Sequence, residues 1–62
     1  MSQANRVLDW LESGKTITTL DSFRDLGITR LAARIYGLRA DGYFIRTTML
    51  TRNGKRYASY SL

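Results

Sequence analysis

The sequence predicts a small α+β domain in which three helices and a short strand precede a C-terminal β-hairpin. Two observations lead to this prediction. Apolar residues recur at helical spacing up to Gly42, and beyond it they alternate with polar residues as in strands. Between the two alternating runs stands Asn53-Gly54, the strongest short signal for a hairpin turn. A chain of 62 residues has room for one small core, so we expect a single domain over residues 1–62.

The first helix is predicted over residues 3–12. Ser2 can cap its N-terminus, and Ser13-Gly14 ends it. One stripe at 3.6-residue spacing collects Ala4, Val7, Leu8 and Leu11. Trp10 lies at the edge of this stripe, which indicates a side chain at the rim of the core.

A short strand over residues 16–18 and a second helix over 20–26 follow. The strand is rich in β-branched residues, and Thr19 is expected to cap the helix. The side chains expected to face the core are Leu20, Phe23 and Leu26. Gly27 is the natural left-handed stop.

The third helix is predicted over residues 30–41, with Thr29 as its cap and Ile28 packed in the preceding turn. Only about three residues join it to the second helix, which is a helix-turn-helix arrangement. Its inward face is expected to carry Leu31, Ile35 and Leu38. The opposite face is low in bulk and lined by guanidinium groups, so a base edge could approach it: Arg30, Ala33, Arg34, Tyr36, Gly37 and Ala40.

The hairpin is predicted from strands over residues 44–52 and 55–62. The two-residue turn sets a register in which Arg52 faces Lys55 and Ile45 faces Leu62. One face should cover the helices with Ile45, Met49, Ala58, Tyr60 and Leu62. The other carries Arg46, Thr48, Ser59 and Ser61, with Leu50 and Tyr57 as an outward apolar pair. At the tip, the cations Arg52, Lys55 and Arg56 are well suited to bind phosphate oxygens.

The charge is divided unevenly along the chain. The net charge is +5, and residues 28–62 hold seven cations against Asp41 alone. This asymmetry predicts a polyanion or an acidic protein surface as the partner. The chain has no Cys and no His, so it lacks a thiolate nucleophile, an imidazole base and a conventional zinc site. We therefore expect no enzyme activity, no cofactor and no metal.

Membrane insertion is not expected. No apolar run approaches the roughly 20 residues that cross a bilayer, and residues 1–6 lack the apolar core of a signal peptide. A cytoplasmic protein of the bacterial cell or nucleoid is the expectation.

Several motifs resemble those of a known family. They are Lys15-Thr16-Ile17-Thr18, Leu26-Gly27-Ile28, Arg30-Leu31-Ala32-Ala33-Arg34-Ile35, Leu38-Arg39, Asp41-Gly42-Tyr43 and Asn53-Gly54-Lys55-Arg56-Tyr57. Their order resembles a winged helix-turn-helix domain, more narrowly the short helix-turn-helix proteins of bacteriophages and prophages. Ser22 stands where that pattern has alanine, and Tyr36-Gly37 replaces a more polar pair. The resemblance implies DNA binding.

The predicted function is a double-stranded DNA-binding protein, as a phage or prophage transcriptional regulator or DNA-handling accessory. Helix 30–41 would enter the major groove, and wing 52–56 would lie on the backbone or minor groove. The candidate contacts are Thr29, Arg30, Ala33, Arg34, Tyr36, Gly37, Arg46, Arg52, Lys55 and Arg56. The alternative is a small phage-encoded inhibitor or adaptor that binds a host protein through the same basic face. A homodimer is open under both hypotheses.

Overall fold

Three helices pack beside a three-stranded antiparallel sheet in the computed structural model, which describes residues 2–62. In chain order the elements are α1 (Gln3–Glu12), β1 (Ile17–Thr18), α2 (Thr19–Asp21, continued by a π-helical turn over Ser22–Leu26), α3 (Leu31–Ala40), β2 (Arg46–Arg52) and β3 (Lys55–Ser61). The strand order is β1-β3-β2, so β3 is the central strand. The predicted α+β class, with a short strand and a C-terminal hairpin, is confirmed.

The core is small and is built mainly from α1 and α3, with single residues from β1, from the turn before α3 and from the loop before β2. Among residues 2–62 it consists of nine buried hydrophobic side chains: Val7, Leu8, Leu11, Ile17, Ile28, Leu31, Ile35, Leu38 and Ile45. Burying an aliphatic side chain of this size contributes about 1.5–3 kcal/mol. The inward stripe of α3 is confirmed, since its three predicted members are all buried.

Trp10 connects the end of α1 to the chain that enters β1. Its Nε1 donates a hydrogen bond to the Thr16 carbonyl at 2.8 Å. The Lys15 ammonium lies 4.7 Å from the centre of its ring, within the range of a cation–π contact. Trp10 packs partly buried against the core, as predicted for a rim residue.

At the other end of α1, the Ser2 hydroxyl accepts from the Asn5 amide at 3.2 Å, which confirms the predicted cap.

The cap of α2 is Thr18, and the prediction of Thr19 is wrong. The Thr18 hydroxyl accepts from the Asp21 amide, and an Asp21 carboxylate oxygen accepts from the Thr18 amide, both at 3.2 Å. This reciprocal capping box requires an acidic residue three positions after the cap. Asp21 satisfies that spacing only if the helix begins directly after β1.

The expectation that Leu20 and Phe23 face the core is also wrong, because their side chains are 63% and 60% exposed. After one α-helical turn the chain widens into the π-helical turn, so the 3.6-residue spacing no longer applies. Ser22 is fully buried instead, and Leu26 packs against the core. The two large apolar side chains are thereby left on the surface.

The turn between α2 and α3 is closed by Ser22 and Ile28. The Ile28 amide donates to the Ser22 carbonyl at 3.0 Å, and the Ser22 hydroxyl donates to the Ile28 carbonyl at 2.8 Å. Ile28 is fully buried, and Gly27 has φ +67°, so both were predicted correctly. Ser22 thus has a bonding role in the turn.

Helix α3 is shorter than predicted at both ends. Arg30, with φ −117° and ψ 59°, is the last residue before the helix and caps it without a side-chain hydrogen bond. Thr29 is therefore not the cap, since it lies one residue too early in the chain. The helix ends at Ala40, and Asp41 is its C-cap.

The register of the hairpin is confirmed over seven pairs, from Arg46 with Ser61 to Arg52 with Lys55. Asn53 and Gly54 have φ +54° and +76°. Two successive left-handed residues are what a type I′ turn needs, and this turn follows the right-handed twist of the strands.

The faces of the hairpin differ from the expectation. Met49 and Leu62 were expected over the helices, yet they are 50% and 48% exposed. Every residue of β2, an edge strand of the sheet, is exposed. Ser59, expected on the outer face, is buried. It pairs with Thr18 on one side and Thr48 on the other, so both neighbours shield its short side chain.

Candidate nucleic-acid interface

The outer face of α3 is solvent-exposed and low in bulk. Arg30, Ala33 and Gly37 are exposed, and Tyr36 is 77% exposed. The buried stripe on the opposite side holds the helix against the core, so this face is presented on a rigid element. A rigid helix with small side chains can approach another molecule closely.

Gly37 has no packing role inside the protein. A Cβ added at this position would have no atom within 4 Å apart from its chain neighbours and the backbone of its own helix. A glycine inside a helix costs about 1 kcal/mol relative to alanine. No packing contact within the described chain therefore requires glycine at this position.

Arg34 is more buried than Arg30, which is exposed. It is half-buried, and its Nε is buried without a hydrogen-bond partner within the described chain. An unsatisfied buried donor costs about 1–3 kcal/mol. The Arg34 Nε–H is therefore a donor that no group of the described chain uses.

The hairpin tip carries cations without carboxylate partners. Arg52 and Lys55 form the last pair before the turn and therefore share one face, whereas Arg56 pairs with Thr51 on the other face. Within residues 2–62, the salt bridges are confined to Arg24, which binds Asp21 at 3.1 Å and Asp25 at 3.3 Å. The hydrogen bond and the charge of Asp25 raise the pKa of Arg24.

A groove lies between α2 and the hairpin tip and brings part of the predicted site together. Its volume is about 910 Å³, and it is lined by Thr29, Arg52 and Lys55 together with residues of β1 and α2. The segment that leads into α3 and the tip of the hairpin therefore border the same depression. Arg46 is not part of this cluster, because it lies at the opposite end of the hairpin. Arg56 is on the wing but outside the groove.

Sequence reasoning missed the role of Arg39. Its Nη2 donates to the Ile45 carbonyl at 2.7 Å and to the Thr47 hydroxyl at 2.8 Å, and its Nε donates to the same carbonyl at 3.2 Å. These bonds tie the last turn of α3 to the beginning of β2. Arg39 therefore holds the hairpin at a fixed angle to the helix. In the sequence it is one more cation, and no pattern distinguishes it.

Two further properties of the described chain bear on its chemistry. No group of acidic, His or Cys residues among residues 2–62 could hold a metal ion. No helix in this range has the length and apolar character needed to cross a bilayer.

Comparison with known proteins gives one match. A family model described as a winged helix-turn-helix domain matches residues 2–62. No curated protein and no solved structure matches the chain significantly. The match includes the helix-turn-helix, the third helix and the hairpin, and it indicates DNA binding.

Proposed function

Because the chain belongs to the winged helix-turn-helix domain family, we propose that it binds double-stranded DNA with α3 in the major groove and the hairpin tip on the backbone or minor groove. The supporting observation is the groove that Thr29 shares with Arg52 and Lys55. It means that the entry to α3 and the wing tip border one surface. Five of the chain's ten cations belong to the proposed surface: Arg30, Arg34, Arg52, Lys55 and Arg56.

Within this surface we assign two tasks. Arg30 and Arg34 read bases, since an arginine can bind guanine through two hydrogen bonds; Thr29 and Tyr36 adjoin them. Arg52, Lys55 and Arg56 bind phosphates, which fix position and carry no sequence information. Ala33 and Gly37 allow the close approach. Arg46 contributes at most an outlying phosphate contact, given its place at the base of the hairpin.

Two single substitutions separate these tasks. Arg34→Ala should reduce the preference for a selected duplex over a scrambled one by on the order of 10-fold, because a base contact is lost. Lys55→Ala should weaken both duplexes alike, by roughly 10-fold at about 0.1 M salt. Fluorescence anisotropy with both duplexes measures each effect, and Lys15→Ala on the opposite half of the chain is the control. If both variants lowered specificity equally, the assigned division would be wrong.

Gly37→Ala should separate stability from binding. We expect the free energy of unfolding to rise by about 0.5–1 kcal/mol, because alanine favours the helix and its methyl group meets no protein atom. Affinity for duplex DNA should fall on the order of 10-fold, since the methyl group would displace base contacts worth about 1–3 kcal/mol.

A matched control for Gly37→Ala is available on the same helix. Ala32 is exposed and outside the proposed contact set, so Ala32→Gly should lower stability by a similar amount and leave affinity unchanged. Urea denaturation and anisotropy give the two quantities. Unchanged affinity in Gly37→Ala would remove Gly37 from the interface.

The proposed biological setting is a bacteriophage or prophage, in which the protein acts in the bacterial cytoplasm or nucleoid as a transcriptional regulator or DNA-handling accessory. Its support is the resemblance of the motif Arg30-Leu31-Ala32-Ala33-Arg34-Ile35, followed by Leu38-Arg39, to short proteins of that origin. Transcript profiling of a bacterial host with and without the protein tests the regulatory role.

A second candidate function is binding to a host protein. Phe44, in the loop between α3 and β2, is 84% exposed, and Tyr43 beside it is 40% exposed. Exposed aromatic side chains are typical of protein interfaces. A stable host partner in nuclease-treated lysate, together with no affinity for DNA, would favour this function over DNA binding.

A further inference from the structure

We infer that the groove between α2 and the hairpin tip binds unpaired nucleotides of a DNA strand, which would make junctions of duplex and single strand better ligands than blunt duplex; this rests on the proposed DNA-binding function. The groove combines aromatic side chains with cations. That combination is how proteins hold single strands, since bases stack on the rings and the cations bind the backbone.

The apolar side chains that line the groove lie on the surface and not in the hydrophobic core. Leu20 and Phe23 project from α2, and Tyr57 of β3 faces them across the groove. The π-helical turn directs the first two side chains outward, away from the core that their spacing predicts. These three side chains line one groove, and a contiguous exposed apolar patch is typical of a binding surface.

The charges of the groove favour an anionic ligand. Arg52 and Lys55 line the groove and have no carboxylate partner within the described chain. The carboxylate in the groove, Asp21, is bonded to the Thr18 amide and to Arg24. The lining therefore carries an excess of positive charge beside its aromatic rings.

Nucleotides fit this lining better than an acidic peptide does. Thr29 lies in the groove directly before α3, so a DNA strand leaving the proposed duplex site would enter it without a second partner. Asn53, at the turn, adds an amide that can donate and accept hydrogen bonds at a base edge. Phe23 and Tyr57 supply ring faces, on which every base can stack.

The test measures binding of the full chain to four kinds of DNA probe. They are a blunt duplex, the same duplex with a short thymine overhang at the 5′ or the 3′ end, the same overhangs with abasic sites, and single-stranded thymine DNA. The thymine overhang of one polarity should bind on the order of 10-fold more tightly than the blunt duplex, as expected for stacking of one base on an aromatic ring. The abasic overhang, which has the same phosphates and no bases, should give a much smaller gain.

Single substitutions test whether the gain in affinity from the thymine overhang depends on the groove. Phe23→Ala should abolish the gain from the thymine overhang and leave affinity for the blunt duplex within about twofold, since a 60% exposed side chain contributes little to folding. Phe44→Ala is the matched control, because Phe44 is even more exposed and lies outside the groove. It should retain the gain.

Three results would overturn the inference: no gain from either overhang, an equal gain from the abasic overhang, or a gain that survives Phe23→Ala. An acidic peptide with an aromatic anchor that binds the groove while the overhangs give no gain would identify a protein partner instead. If the protein bound the blunt duplex and gained nothing from an overhang, the proposed function would stand, and the groove would not bind unpaired nucleotides. Binding to single-stranded thymine DNA with no binding to blunt duplex would support the groove and contradict the proposed function.

Discussion

Replacing Arg52, Lys55 and Arg56 together with threonine is expected to weaken binding to every duplex by on the order of 10²- to 10³-fold at about 0.1 M salt. Each phosphate contact that is lost lowers the magnitude of the slope of log affinity against log salt by about 0.9. If the wild-type protein neutralises about five phosphates, its slope should be about −4 to −5, and the variant's about −1.3 to −2.3. Threonine is favoured in strands, so the hairpin should persist. Anisotropy titrations over a range of salt give both slopes.

A control variant with the same change in net charge shows whether the effect is specific to the wing. Arg6→Glu combined with Lys15→Ser also lowers the net charge by three, on exposed positions outside the proposed surface. This control should change the slope far less than the wing variant does. Equal slopes in the two variants would mean that affinity follows net charge, and the wing would lose its assigned role.

Ile28→Ala is expected to leave much of the protein unfolded at 25 °C. Ile28 is fully buried in the turn between α2 and α3, and truncation of a buried isoleucine costs about 2–5 kcal/mol. A domain of this size without disulfide or metal has a total stability on the order of 3–5 kcal/mol. The substitution therefore removes most of it. Circular dichroism during urea denaturation measures the loss.

Leu20→Ala is the matched comparison for Ile28→Ala. Both remove a branched aliphatic side chain of the same size from the helix-turn-helix, but Leu20 is 63% exposed. Its truncation should change the free energy of unfolding by no more than about 0.5 kcal/mol. A loss as large as that of Ile28→Ala would place Leu20 in the core, as its spacing in the sequence predicts.

Features fixed by local chemistry could be predicted from the sequence. Asn53-Gly54 sets a turn with two left-handed residues, and the two-residue turn then determines each cross-strand pair. The inward stripe of α3 follows from helical geometry over ten residues. Gly27 ends α2 because its backbone adopts φ +67° without a steric penalty.

Features that depend on tertiary geometry could not be predicted. The π-helical turn follows only one turn of α-helix, so a 3.6-residue pattern cannot show that Phe23 lies outside and Ser22 inside. Alternation assigns Met49 to the inner face, but it does not show how little of the edge strand β2 the rest of the protein covers. The bonds of Arg39 to Ile45 and Thr47 depend on how α3 meets β2, which leaves no trace in spacing.

We propose that the outer face of α3 and the wing tip form one DNA-binding surface. Amide chemical shifts in the ¹⁵N-labelled protein test this proposal most directly. On titration with a short blunt duplex at low salt, we expect the large shifts at residues 29–37 and 52–56. The exposed side of α1, at Asn5, Asp9 and Glu12, should change little. Shifts concentrated on α1, or no shifts at all in either region, would contradict the claim.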